Sequence, residues 1–115
     1  MKDFSSVLVL TNDEQSDLVD TFFDLGYVPL IRKELTSTLK DIHHKCVGVI
    51  FLDLQCLEVD PLEIVISVRD VDHHLPVVIV NGKDIEGRNQ ILDLQNIFFI
   101  PNKINQIKKV LNEVT

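Results

Sequence analysis

The stretch Val47–Ile66, VGVIFLDLQCLEVDPLEIVI, decides how the rest of the chain is read. Val47–Leu52 is an unbroken apolar run rich in β-branched residues. A short run of that kind suits a strand covered on both faces, as in a parallel sheet. Asp53 stands at its carboxyl end, the end at which open α/β sheets gather ligands and chemistry. Asp60-Pro61 then predicts a helix start. Asp accepts backbone N–H bonds as an N-cap, and Pro is pre-set for the first helical position. Glu63 in the first turn suits the helix dipole.

Working outward, the chain alternates strand and helix five times. Ser5–Leu10 reads as a strand, and the pattern from about Asp13 to Leu25 is helical, with Leu18, Phe22 and Leu25 on one stripe. Gly26 stops that helix. Tyr27–Ile31 is a second strand, which Pro29 assigns to an edge. Leu35–Lys45 is a helix with Leu35, Leu39 and Ile42 on one face and Thr36, Ser37 or Thr38 as its cap. The helix from Pro61 to about Asp72 turns Leu62, Val65, Ile66 and the Arg69 stem inward. Leu75–Val80 is a fourth strand, closed by Asn81-Gly82. Asp84–Leu94 reads as a weak helix containing Gly87, and Asn96–Ile100 as the fifth strand. Lys103–Val114 is amphipathic, with Ile104, Ile107, Leu111 and Val114 inside and Lys103, Lys108 and Lys109 outside. Such alternation implies a parallel sheet with right-handed crossovers and helices on both faces.

The totals bound the function. At 115 residues the chain is one domain, 1–115, large enough to bury a core without a disulfide or structural metal. Eleven basic residues against 18 acidic give a net charge of −7. That argues against a nucleic-acid surface within this chain, since phosphate binding rests on Lys and Arg. No apolar run approaches the roughly 20 residues of a membrane span, and MKDFSS is no signal peptide, so the expected location is cytoplasmic. Cys46 and Cys56 are not in a CxxC motif and read as reduced, small hydrophobes.

Several motifs are missing. There is no HExxH, no P-loop around Gly82-Lys83, no GxGxxG and no GxSxG. His43-His44 and His73-His74 invite a metal hypothesis, but neighbouring side chains on a helix diverge, and solvated, helix-terminal histidines are the plainer reading. No metal ligand set is assigned.

With these segments in place, the chain resembles a response-regulator receiver domain along essentially its whole length. The specific part is LDLQCLEVDPLE: Asp53, six intervening residues, then Asp60, Pro61, Leu62 and Glu63, where receivers have Asp-Gly-Leu-Glu. LPVVIV and FFIPNK fall where the family has its fourth and fifth strands. The resemblance implies a flavodoxin-like (βα)5 sandwich with strand order 2-1-3-4-5. It also implies a site in which Mg²⁺ and a lysine offset the charge brought together when a carboxylate is phosphorylated.

Laid on this sequence, Asp53 matches the phosphoacceptor. The acidic pair of the family falls on Thr11 and Asn12, with Asp13 and Glu14 next in line. The Thr/Ser position falls on Asn81, the Lys position on Pro101, and the switch aromatic on Phe98. Losing two of three carboxylates removes most of the fixed charge for Mg²⁺, and each charge pair near 4 Å is worth up to about 4 kcal/mol at an effective dielectric of about 20. The expectation is a degenerate receiver that works by protein–protein contact, as a homodimer or with a protein partner. It would form the N-terminal input domain of a larger bacterial transcriptional regulator, with no catalytic activity and no cofactor. One alternative keeps Asp53 as a phosphoacceptor, with Mg²⁺ held by Asp53 plus Asp13 or Glu14. Another is a small-ligand sensor whose cleft is lined by Thr11, Asn12, Asp53 and Asn81. The family's partner face places the candidate interface on Ile91, Leu92, Phe98, Lys103 and Lys108.

Overall fold

The computed structural model describes residues 7–44, 47–54, 60–81, 91 and 94–114. Five parallel strands form one sheet: β1 (Val7–Leu10), β2 (Leu30–Arg32), β3 (Val49–Asp53), β4 (Val77–Val80) and β5 (Ile97–Ile100), in the order β2-β1-β3-β4-β5. Four helices surround it among the described residues: α1 (Asp17–Asp24), α2 (Leu35–His43), α3 (Pro61–Val71) and α4 (Ile104–Val114). The parallel sheet expected from the alternation is present, in the flavodoxin-like order that the resemblance implies, and β2 lies at an edge.

Alternate residues of the three inner strands feed two separate cores. Leu8, Leu10, Ile50, Leu52, Val77 and Ile79 pack with Ile42 of α2 and Ile64, Val65 and Val68 of α3. Val7, Val9, Val49, Phe51, Val78 and Val80 pack on the other face with Leu18, Val19 and Phe22 of α1 and Ile107, Val110 and Leu111 of α4. Both faces of the sheet are therefore dry, which is why these strands read as continuous apolar runs rather than alternating ones. Phe22 meets Phe51 edge to face at 4.7 Å between ring centroids, fixing α1 against the middle of the sheet.

The helix ends follow from local chemistry. Asp60 caps α3 as expected, its Oδ1 accepting the Leu62 N–H at 3.0 Å with Pro61 in the first turn. Gly26, at φ +87°, terminates α1. Its N–H donates to the Phe23 carbonyl and that of Tyr27 to the Phe22 carbonyl, the paired bonds of a Schellman ending.

Some boundaries and faces differ from the sequence expectation. Helix α1 begins at Asp17, because the buried Ser16 hydroxyl accepts the Val19 N–H and closes the preceding turn. Helix α2 has no side-chain cap: Ser37 and Thr38 donate back to the Glu34 carbonyl instead of accepting N–H bonds. In α3 the buried stripe is Ile64, Val65 and Val68, so Ile66 is left 49% exposed. In α4, Ile104 is 45% exposed and Val110 takes the inner position. Much of the segment expected as helix 84–94 lies outside the described residues, as do Leu92, Cys46 and Cys56.

Candidate functional site

The strand register lines up the residues that follow the carboxyl ends. Leu10 pairs with Leu52, Asp53 with Val80, and Val80 with Ile100. Thr11, Asp53, Asn81 and Pro101 therefore stand along one rim of the sheet, where the resemblance places the receiver's reactive groups.

Asp53 is the last residue of β3 and is buried, with 3% of its surface exposed. Its Oδ2 accepts the hydroxyl of Thr11 at 3.1 Å, and Thr11 is fully buried beside it. Thr11 is itself fixed on two sides. Its backbone N–H donates to the Arg32 carbonyl of β2, and its Oγ1 accepts the Asp13 N–H at 3.2 Å. The hydroxyl thus stands at a position that the resemblance assigns to one of a pair of acids.

The other acids near β1 do not turn toward Asp53 in the contacts they make. Asp13 is exposed and its Oδ1 accepts the Gln15 N–H at 2.9 Å, closing the turn before α1. Glu14 is exposed and pairs with Lys33 at 3.4 Å. Asn12 is exposed and neutral. Among the described residues, no group of three or more His, Cys, Asp or Glu side chains is placed to hold a metal ion. A receiver-type Mg²⁺ asks for converging oxygen ligands with net negative charge, and these residues do not fit it.

The far side of the rim is built from amides. Asn81 adopts φ +62°, a left-handed conformation that Asn tolerates, and its Oδ1 accepts the Asn102 N–H at 3.1 Å. That bond and the one from the Asn81 N–H to the Ile100 carbonyl join the ends of β4 and β5. Pro101 is exposed where the family has its lysine. Lys103 is exposed too, and its carbonyl accepts the Gln106 and Ile107 N–H groups at the start of α4. Phe98 is half-buried against α4 and carries no hydroxyl.

The candidate interface is only partly on the surface. Lys103 and Lys108 are exposed. Ile91 is not: it is fully buried in the core formed with α2 and α3, so it offers no contact area to a partner. The histidine pairs lie at the ends of α2 and α3 and are exposed, with the His43 and His44 rings 5.6 Å apart edge to face.

Sequence reasoning missed Arg69. Its Nη1 donates to the Leu75 carbonyl and its Nη2 to the Gln95 carbonyl, both at 2.6 Å, tying α3 to the entries of β4 and β5. Burial lowers the guanidinium below its ordinary range, and Asp72 acts in the opposite direction. This clamp lies at the end of the sheet opposite Asp53 and is structural.

No protein-family profile matches the chain, and no curated protein matches it in sequence. A solved structure does match in fold: the lysine decarboxylase LdcF of Francisella novicida, with a TM-score of 0.67 over 98% of this chain at 14% identity. The chain spans 18% of that protein's length. The likeness is one of parallel α/β fold alone. No helix among the described residues is long and apolar enough to cross a membrane.

Proposed function

We propose that this chain is a degenerate receiver: a regulatory domain that works by protein–protein contact without phosphorylation of Asp53. In this reading it is a cytoplasmic, non-enzymatic input domain of a transcriptional regulator. The observation that carries the reading is the 3.1 Å bond from Thr11 Oγ1 to Asp53 Oδ2 inside a buried pair. A phosphoacceptor needs an open carboxylate, a divalent cation and a lysine to offset the incoming charge. Here the carboxylate is covered by a hydroxyl, Asp13 and Glu14 are engaged elsewhere, and Pro101 stands at the lysine position.

The test is an intact-mass spectrum after incubation with acetyl phosphate and Mg²⁺, beside an Asp53→Asn control. The expected result is an unchanged mass in both. A stoichiometric phosphoryl adduct on the natural chain, absent from the control, overturns the reading in favour of a phosphoacceptor with an unusual metal site. A large melting shift with one nucleotide or metabolite would instead support the ligand-sensor reading of the same cleft.

A further inference from the structure

Helices α1 and α4 cover the same face of the sheet, and their outer surfaces carry opposite charge. On α1, Asp17, Asp20 and Asp24 are exposed and fall on one stripe at three- and four-residue spacing. On α4 and at its start, Lys103, Lys108 and Lys109 are exposed, against one exposed acid, Glu113, in the last turn. Among the described residues, none of these charged groups takes part in an ion pair; the pairs there are Arg32–Asp41 and Lys33–Glu14.

The folded chain has no evident use for part of this pattern. Asp24 sits in the last turn of α1, where the helix dipole disfavours a carboxylate, and that turn has no basic residue. Both helices also expose a large apolar side chain beside the charges. Phe23, 51% exposed, is a helical neighbour of Asp20, and Ile104, 45% exposed, is a helical neighbour of Lys108.

We propose that the chain forms a two-fold dimer in which the acidic stripe of α1 lies against the lysines of α4 of a second copy. This deepens the interaction-domain reading and rests on it, since it names the partner and the surface. The geometry selects the arrangement. Both helices run antiparallel to the strands, so they are parallel to each other. Two such layers can meet face to face about a two-fold axis lying across the helices or along them. An axis across the helices sets α1 against α1, acid on acid. An axis along them sets α1 against the partner's α4 twice, so that the acidic stripe faces Lys108 and Lys109, with Glu113 at the far end of the lysine row. At 1.5 Å per residue, Asp20 and Asp24 lie roughly 4.5 and 10.5 Å from the start of α1, and Lys108 and Lys109 about 6 and 7.5 Å from the start of α4, so the lysines sit in the middle turns of α4 and the acids from the middle to the end of α1. Phe23 and Ile104 supply apolar area at the margins of the charged rows. The exposed apolar residues of α3, Ile66 and Val71, are five residues apart, lie off a common stripe, and face no complementary charge of this kind.

The test is sedimentation velocity over a concentration series on the full chain and on two charge-reversed variants, Asp20→Lys/Asp24→Lys and Lys108→Glu/Lys109→Glu. The natural chain is expected to dimerise. Each variant alone should weaken the dimer by at least about tenfold, because the two-fold axis repeats every reversed contact. An equimolar mixture of the two variants should recover a heterodimer, and since both variants remain net negative, that recovery requires local complementarity. Reversal of Glu63 and Asp70 on α3 should leave the dimer unchanged. Circular dichroism melts check that each variant is folded, and all reversed side chains are exposed.

A monomeric natural chain, or a dimer that survives both reversals, overturns the proposal. A dimer that survives leaves the interaction-domain reading standing with another surface. Failure of the reading itself shows separately, as a phosphoryl adduct on Asp53.

Discussion

Thr11 and Asp53, 42 residues apart in sequence, form a buried hydroxyl–carboxylate pair at 3.1 Å across the ends of β1 and β3. A buried carboxylate is stable only when its lone pairs are met, and the Thr11 hydroxyl meets one of those on Asp53 Oδ2. Thr11→Val keeps the shape and removes the donor. It is expected to cost about 1–3 kcal/mol, the usual penalty for leaving a buried acceptor unmet. Thr11→Ser keeps the hydroxyl and should recover most of that loss. Urea unfolding of the three proteins gives the order directly, and equal stability of the Val and Ser variants would remove Thr11 from this role.

The Arg69 clamp gives a second prediction. The guanidinium reaches the Leu75 and Gln95 carbonyls at once, which a lysine ammonium cannot do with the same fixed geometry. Arg69→Met keeps the stem and leaves the part-buried Leu75 carbonyl without its donor, while the exposed Gln95 carbonyl turns to water. We expect a loss of about 2–3 kcal/mol, or roughly 10 °C in melting temperature for a domain of this size. Arg69→Lys should fall between the two. A thermal melt of Arg69→Met within a degree or two of the natural chain would show that water replaces the clamp without loss.

At Gly26 the reason for glycine is conformation alone. A Cβ there would meet nothing within 4 Å, but φ is +87°. Gly26→Ala is therefore expected to cost about 1 kcal/mol through backbone strain, with no change in packing. Gly26→Asn should cost less, since Asn tolerates the left-handed region. Chemical denaturation separates the two, and equal losses would point to a steric cause.

How much of this was readable beforehand depends on which force places each residue. The strands were legible because burial on both faces leaves no polar position within Val49–Leu52 or Val77–Val80. Asp60-Pro61 and Gly26 were legible because caps and stops act through the residue itself. The mates of Asp53 along the rim were placed by the resemblance, and the strand register lines the same positions up. The bond from Thr11 was not legible, since a threonine after a strand has several backbone partners to choose from. Arg69 was illegible because its acceptors are backbone carbonyls, which any residue carries. In the inner stripe of α3, Leu62 and Val65 do pack on the core, but Ile66 was misplaced because it satisfies the helical period with them as well as Ile64 and Val68 do. Packing against α2 and the sheet decides between them.

Ile91 tests the corrected surface. As a fully buried residue of the core with α2 and α3, it should not accept a charge. Ile91→Asp is expected to abolish cooperative unfolding, because an unpaired buried carboxylate costs several kcal/mol and a domain of this size has only about 5–15 in all. Ile91→Val should cost about 0.5–1.5 kcal/mol and leave association unchanged. A folded Ile91→Asp variant with altered sedimentation would return this residue to the interface.

The reading of the rim as a site that has lost its metal leads to a constructive test. Thr11→Asp with Asn12→Asp restores the acidic pair at the positions where the receiver family has it. Without a cation, Thr11→Asp sets a second carboxylate against the buried Asp53 and removes its donor, so like-charge repulsion and desolvation act together. The variant should lose more than about 2 kcal/mol relative to the natural chain in metal-free buffer. Millimolar Mg²⁺ should then raise its melting temperature, because a ligand that binds only the folded state stabilises it, while the natural chain should not respond. Adding Asp53→Asn to the variant should remove the Mg²⁺ response, since the cation would lose the buried carboxylate of β3 as a ligand. If the natural chain itself melts higher in Mg²⁺ and Asp53→Asn abolishes that shift, then a metal site exists without the acidic pair, and the loss of phosphorylation chemistry must be argued from Pro101 alone.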